Sequence, residues 1–281
     1  MKTLSEIEET VKQTIEKYKL ADKKDKIIVA CSGGKDSTTC LYILNKLRYN
    51  VEAMTINLGI GKYSDDNTNN ISKFCETIGV KLHILDMKEH YGGSICYLRS
   101  GIQSKVNLSN CTICGVIKRW MLNKESRRLK ADRLATGHNL DDEVENVLMN
   151  FMNGNPELSI NLGPKTGILK DKKFVERIKP LYFCTNAEIK EYSEKHTFPV
   201  IYEPCPCSAG TYRREIRKHI GELSAKYPEI KQNLVENFLR ILPVIQKKYM
   251  YNRELRYCEL CGEPSNRQIC KRCEFLGIFK S

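Results

Sequence analysis

With 281 residues, 41% of them hydrophobic, the chain can hold one large domain or a catalytic domain with a small appendage. Lys and Arg number 46 against 34 acids, and the formal charge of +12 favours a polyanionic partner such as nucleic acid over an acidic small molecule. No apolar stretch approaches the roughly 18 residues of a membrane span and the amino terminus is not a signal peptide, so a cytoplasmic protein without membrane contact is expected, and its thirteen cysteines argue against a disulfide framework.

The first 22 residues read as a charged amphipathic helix. The run Ile27–Ala30 is short and β-branched, as in a central parallel strand, while Leu41, Ile43, Leu44 and Leu47 recur as on one helical face. The stretch "CSGGKDS" therefore lies on a strand-to-helix turn. Gly33 and Gly34 let the backbone bend and approach a ligand, the first-turn N–H groups point outward, and Ser32, Ser37 and Lys35 add donors and charge. An ordinary glycine turn with a Ser or Asp cap is the plainer reading. Neither a Walker A loop nor G-x-G-x-x-G is present, which argues against ordinary NTPase and dinucleotide sites.

Next come a strand in "VEAMTINLGI", a helix in "DDNTNNISKFCETIGV", a third strand in "KLHIL" and a fourth in "ADRLATGHN", which ends at a second glycine turn. This alternation implies an α/β fold, a doubly wound parallel sheet with ligands at the carboxyl ends of the strands. His138 is as well suited to bonding within the turn as to catalysis, and Asp141 and Asp142 would sit favourably in a first helical turn. Residues 155–180, rich in Gly, Pro, Asn and Lys, read as a mobile loop. "TNAEIKEYSEKH" is a helix capped by Thr185 or Asn186. "TYRREIRKHIGEL" sets Arg213, Arg214, Arg217 and Lys218 on or beside one helix, where they could track phosphates or remain solvated.

The cysteines divide into groups. Cys31, Cys40, Cys75, Cys96 and Cys184 stand among apolar neighbours and read as small buried hydrophobes. Cys258 and Cys261 form one C-x-x-C and Cys270 and Cys273 another, which is the pattern of a closed four-thiolate zinc ribbon, structural or a docking surface for RNA. Cys111 and Cys114 begin a helix, with Cys205 and Cys207 about ninety residues on. Two close thiols and a distant one suit a [4Fe-4S] cluster with one iron open; a second zinc site, a redox dithiol or buried thiols also fit this spacing.

"SGGKDS" after a strand looks like the PP-loop of the ATP pyrophosphatase superfamily, which adenylates a substrate and releases pyrophosphate. Together with "CTICGVIKR", "ATGHNLDDEVENVLMNFMNG", "CPCSAGTYRRE" and the terminal ribbon, it resembles the tRNA 2-thiouridine synthetases of the two-thiouridine synthetase A type and their cytoplasmic wobble-uridine relatives. The resemblance implies an ATP-dependent tRNA sulfurtransferase in which the C2 oxygen of a uridine is adenylated and then replaced by sulfur, with ATP, Mg²⁺, a [4Fe-4S] cluster and Zn²⁺ as cofactors. It places the nucleotide on Ala30, Cys31, Ser32, Gly33, Gly34, Lys35, Asp36 and Ser37, with the backbone at Ile56 and Asn57 toward adenine and Gly137 lining the site. The cluster ligands would be Cys111, Cys114 and Cys205, with Cys207, where the family usually has an aromatic residue, as substitute. Lys118, Asp36, Asp141 and Asp142 match catalytic or magnesium-binding positions. The expected partners are tRNA and a sulfur donor, either sulfide or a ubiquitin-like sulfur carrier protein, and a homodimer is allowed.

This divides the chain into an N-terminal helix (1–22), a PP-loop catalytic domain (23–200), a helical extension with the third cluster cysteine (201–254) and the ribbon (255–281). Relatives commonly carry another ribbon before the PP-loop domain, where this sequence opens on the amphipathic helix. Cytidine thiolation, cluster-free persulfide chemistry and, as a rival class, non-catalytic RNA binding stand as alternatives. A small-substrate ligase would leave the ribbon and the cysteine set unexplained.

Overall fold

The computed structural model describes residues 2–166, 171–208, 212–250 and 256–280. Helix α1 (Leu4–Tyr18) starts at a capping box between Thr3 and Glu6 and buries Ile7, Val11 and Ile15, spaced four apart on one face. There follow β1 (Lys26–Ala30), α2 (Lys35–Lys46), β2 (Asn50–Asn57), α3 (Gly61–Thr77) and β3 (Leu82–Asp86). Two short helices, α4 (Met87–Tyr91) and α5 (Ile95–Gln103), lead to the long α6 (Asn110–Arg128), then to β4 (Arg133–Thr136) and α7 (Leu140–Met152). After a 3₁₀ turn at Pro156–Asn161 come β5 (Lys165–Thr166), β6 (Glu176–Ile178), α8 (Asn186–Lys195), α9 (Tyr212–Lys226) and α10 (Ile230–Met250). The ribbon consists of β7 (Arg256–Tyr257), β8 (Pro264–Ser265) and α11 (Lys271–Lys280).

The main sheet has the order β3-β2-β1-β4-β6-β5, parallel except for β5. Val29 pairs with Ala53 on one side and Ala135 on the other, so the chain leaves β1 and β4 side by side. The strand order reverses there, and that crevice is where an open parallel sheet binds its ligand. Strand β1 is apolar on both faces because both are covered. Ile27 and Val29 pack with α1, α2, α3 and α8, whereas Ile28 packs with Met54 and Leu134 against α5 and α6.

Residues 155–180 depart from the loop expected of them. They contribute β6, which continues the parallel sheet beside β4, and β5, which closes that edge antiparallel; residues 167–170 lie outside the described residues. Strands of two and three residues with one buried position leave no alternation to read. A buried ion pair fastens the region: Glu143 accepts from Lys179 Nζ at 2.7 Å, Gly163 N at 2.5 Å and Tyr182 OH at 3.1 Å. Among the described residues no helix is long and apolar enough to cross a membrane.

Candidate active site

Three helix amino termini meet at the carboxyl edge of β1 and β4. Helix α2 begins at Gly34, which has no side chain to cap it, so its first N–H groups are left for a ligand. The turn before it holds its shape through Ser37, whose Oγ accepts from Ser32 N at 3.1 Å and donates to the Gly34 carbonyl at 3.1 Å. Gly33 has φ +79°, and a Cβ there would lie 2.5 Å from Asn67 Oδ1 of α3. Gly137, after β4, is pressed on the same loop: its Cβ would stand 2.6 Å from the Asp36 carbonyl carbon and 2.6 Å from Ser37 N. Both glycine turns of the sequence thus close one site.

Charged groups ring it. Lys35 Nζ lies 2.7 Å from Asp36 Oδ1 and donates to Asn186 Oδ1 at the start of α8. Asp36 also accepts from Asn139 Nδ2 at 2.9 Å, and Asn139 caps α7 in a reciprocal box with Asp142. Asp141 accepts from Asn186 N at 2.7 Å and Lys231 Nζ of α10 at 2.6 Å. Asp36 therefore stands beside the loop, whereas Asp141 joins α7 to α8 and α10, and Asp142 is engaged in the α7 cap. Ala30 and Cys31 lie beneath the loop, with Cys31 N bonded to the Met54 carbonyl at 2.8 Å. Ile56 and Asn57 end β2 on the same edge, where Asn57 Oδ1 accepts from Gly59 N at 3.0 Å. His138 is exposed, with Nδ1 2.9 Å from Thr136 Oγ1.

A thiol centre adjoins this site. Ser109 caps α6, so Cys111 and Cys114 stand one turn apart in its opening turns. The 3₁₀ turn Pro206–Ser208 docks there, with Asn110 Nδ2 3.3 Å from the Cys207 carbonyl. Burial raises the Cys114 thiol, against which Lys118, one turn on, and Arg99 act as positive charges. Burial likewise raises Cys205, while the backbone N–H of Cys207 lowers it. Tyr63 lies near Cys205 and Cys207, and its neighbour one turn on, Asn67, covers Gly33. One turn of α3 separates the phosphate loop from the thiols.

Cys96 does not behave as the inert hydrophobe expected. It is half-buried, lies near the Cys207 thiol, and accepts from Arg99 NH2 at 3.6 Å, whereas Cys31, Cys40, Cys75 and Cys184 are buried and burial raises all four thiols, Cys75 to about 11 and Cys184 to about 12. Nothing in its spacing links Cys96 to Cys207; only the packing of α5 beside α6 does. Asn67, Asn186, Lys231 and Arg99 are missed from sequence for the same reason, although "GHNLDD" marks Asn139 as a cap.

The expected phosphate stripe on α9 is partly committed elsewhere. Arg213 and Arg217 hold the buried Glu145 carboxylate at 3.1 Å and 2.5 Å and face Asp142 at 3.7 Å and 3.8 Å, with Arg214 and the exposed Lys218 in the same turns. A different pair of cations reaches Cys114 through Arg119. Arg177 of β6 donates to the Arg119 carbonyl at 3.1 Å, and burial together with the like charge of Arg119 lowers its guanidinium to about 10.

The ribbon sulfurs of Cys258, Cys261, Cys270 and Cys273 all lie within 4.8 Å of one another, and Cys261 and Cys270 are 3.7 Å apart. Tetrahedral Zn–S bonds of about 2.3 Å require sulfurs about 3.8 Å apart, so the residues fit zinc. Burial would raise Cys258, but backbone N–H groups of Cys270, Cys261 and Leu260 bring it down to about 6. Among the described residues this is the group that gathers so closely. Cys111, Cys114 and Cys205 do not gather within that distance.

The PP-loop domain family matches residues 3–223. Over 274 residues the chain is 37% identical to the tRNA-5-methyluridine(54) 2-sulfurtransferase of Pyrococcus horikoshii, covering 97% of this chain and 85% of that protein. The chain belongs to the PP-loop family of tRNA 2-thiolation proteins. Cytoplasmic tRNA 2-thiolation protein 1 of Caenorhabditis elegans, another relative, is 29% identical over 95% of this chain and 71% of its own length. Among solved structures, the U34-tRNA thiolase NcsA from Methanococcus maripaludis with its [4Fe-4S] cluster superposes with a TM-score of 0.80 at 30% identity, covering 97% of this chain and 86% of that one.

Proposed function

We propose that the protein is an ATP-dependent tRNA-uridine 2-sulfurtransferase. The observation that carries this reading is the adjacency of the two centres, with Asn67 on the phosphate loop and Tyr63, one turn away, beside Cys205 and Cys207. An adenylated base held by the first centre lies within reach of sulfur at the second.

In the first half-reaction the free N–H groups of α2, the Ser32 and Ser37 hydroxyls and Lys35 bind the phosphates, and Asp36 would hold a Mg²⁺ that neutralises phosphate charge. Lys35 exchanges Asn186 for phosphate oxygens, while Asp141 keeps α7 and α8 in position. The uridine C2 oxygen attacks the α-phosphorus and pyrophosphate leaves. In the second half-reaction sulfide adds at C2, the C2–O bond breaks and AMP departs, with Lys118 steadying the charge at the reacting carbon. Cys111, Cys114 and Cys205 would hold a [4Fe-4S] cluster whose open iron supplies a place for that sulfide.

The tRNA backbone crosses Arg119 and Arg177, whose crowded like charges are relieved by phosphate, and continues to Arg214 and Lys218. Sulfur arrives as free sulfide or from a ubiquitin-like carrier protein.

The test is reconstituted protein with tRNA, Mg²⁺-ATP and either sulfur source, read by pyrophosphate release and nucleoside mass spectrometry. Release that depends on tRNA, with 2-thiouridine appearing at one position, is the expected result. Binding of tRNA with no pyrophosphate release would establish the RNA-binding reading instead. Light scattering on the same sample decides between monomer and homodimer.

A further inference from the structure

The ribbon packs on the back of the helix that presents Cys111 and Cys114. Between those cysteines in sequence, Ile113 is fully buried with Ile102 and Phe275. Phe275 lies two residues beyond the ribbon cysteine Cys273 and is only 1% exposed. One side-chain contact, Phe275 against Ile113, thus joins the helix that carries Cys273 to the helix that carries Cys111 and Cys114.

The same helix, α11, also grips α5, which carries Cys96 and Arg99. Phe279 meets Tyr97 edge-on at 5.2 Å and fills the space where a Cβ on Gly101 would come within 2.5 Å of its ring. Arg272 stacks 4.0 Å from the Trp120 ring centroid and donates to Tyr91 OH at 3.2 Å. At the far end of α6, Arg127 pairs with the buried Glu263. Helix α11 is therefore the third wall of the core that holds α5 and α6. The core around α1, α2 and α8 lies on the opposite face of the sheet.

A segment as short as the ribbon has too little apolar surface to fold unaided, so metal binding supplies its folding free energy. We infer that zinc in the ribbon holds the iron-binding thiols in place, with Phe275 and Ile113 as the positioning residues that transmit it. This rests on the assignment of Cys111, Cys114 and Cys205 as cluster ligands. Loss of zinc or of the Phe275 ring should release the cluster and leave the nucleotide site working.

The experiment compares the full chain with Phe275→Ala, Phe275→Leu and Cys273→Ser after anaerobic reconstitution, measuring zinc and iron per chain, the cluster's electron paramagnetic resonance signature, cluster loss to an iron chelator, and ATP binding. Wild type should hold about four irons, as a [4Fe-4S] cluster requires. Phe275→Ala should keep its zinc and its ATP affinity but lose the cluster about tenfold faster, the scale seen when supporting residues around a metal site are removed. Phe275→Leu should restore most of the lifetime, and Cys273→Ser should lose zinc and cluster together. A zinc-free Cys273→Ser protein with a stable cluster, or a Phe275→Ala protein with wild-type cluster lifetime and signature, would overturn the coupling alone. Should Phe275→Ala fail to bind ATP, Ile113→Val takes its place, with faster cluster loss expected and an unchanged lifetime counting against the coupling. Wild-type protein that takes up no iron would instead overturn the cluster assignment on which the coupling rests.

Discussion

Replacing Gly137 by alanine probes the crossing of the two glycine turns. The added Cβ would lie 2.6 Å from two backbone atoms of the phosphate loop, about 0.8 Å short of the 3.4 Å at which ordinary contact begins. Neither atom belongs to a flexible side chain, so α2 and β4 must separate. Overpacking of this kind costs about 1–3 kcal/mol. The amide that must move belongs to Ser37, in the uncapped first turn of α2. A displacement near 1 Å at a reacting centre costs about 100-fold in rate. Turnover, followed as tRNA-dependent pyrophosphate release, should therefore fall by about that factor, while the melting temperature drops only a few degrees and iron content is unchanged. Wild-type turnover in Gly137→Ala would mean that the nucleotide does not bind against this loop.

Lys35→Ala should abolish ATP-dependent turnover without loss of helical content by circular dichroism; near-normal thiolation would remove the phosphate role. Cys205→Ala should lose the cluster and activity, and Cys207→Ala should be milder in both iron analysis and thiolation assays; the reverse order would make Cys207 the ligand. Arg177→Gln should weaken tRNA binding about equally for all tRNAs and reduce the slope of log affinity against log salt by about 1; an unchanged slope would take the RNA elsewhere. Burial favours the neutral form of Glu52, but hydrogen bonds from His83 at 2.6 Å and Lys26 at 2.9 Å outweigh it and hold the carboxyl below the ordinary glutamate range. A carboxylate lowered in this way stabilises the fold above its unfolded pKa and loses that contribution as pH falls through the folded one. The advantage of wild type over Glu52→Gln in urea midpoint should therefore shrink below about pH 4.3, the ordinary glutamate value; an advantage that grows in acid would contradict this.

Much of this was legible in the chain because it is local. The β-branched run before "SGGKDS", the alternation of strands and helices, and the Thr185 cap each depend on residues within a few positions of one another, and the structure shows them as expected. The two C-x-x-C pairs of the ribbon were equally plain, because a knuckle is itself a local motif. What escaped is set by packing between distant segments. Strand β6 has three residues and takes its place from β4, not from a pattern of its own. Cys96 comes near Cys207 across more than a hundred residues, and the arginines of α9 turn out to hold Glu145 of α7 between them. A charge that reads as solvent-facing in sequence is decided by its partner in space.

The wall that α11 builds behind α6 also has a consequence in time. About 160 residues separate Cys114 from Phe275, and a ribosome adding about 5–20 residues per second needs roughly 10–30 seconds to make them. During that interval Cys111 and Cys114 have emerged without Cys205 for much of it and without their backing throughout. A nascent thiol pair in that condition is open to oxidation or to capture of a stray ion. On the proposed assignment of Cys111, Cys114 and Cys205, the geometry favours cluster insertion after α11 has left the ribosome, which would make iron loading a late event.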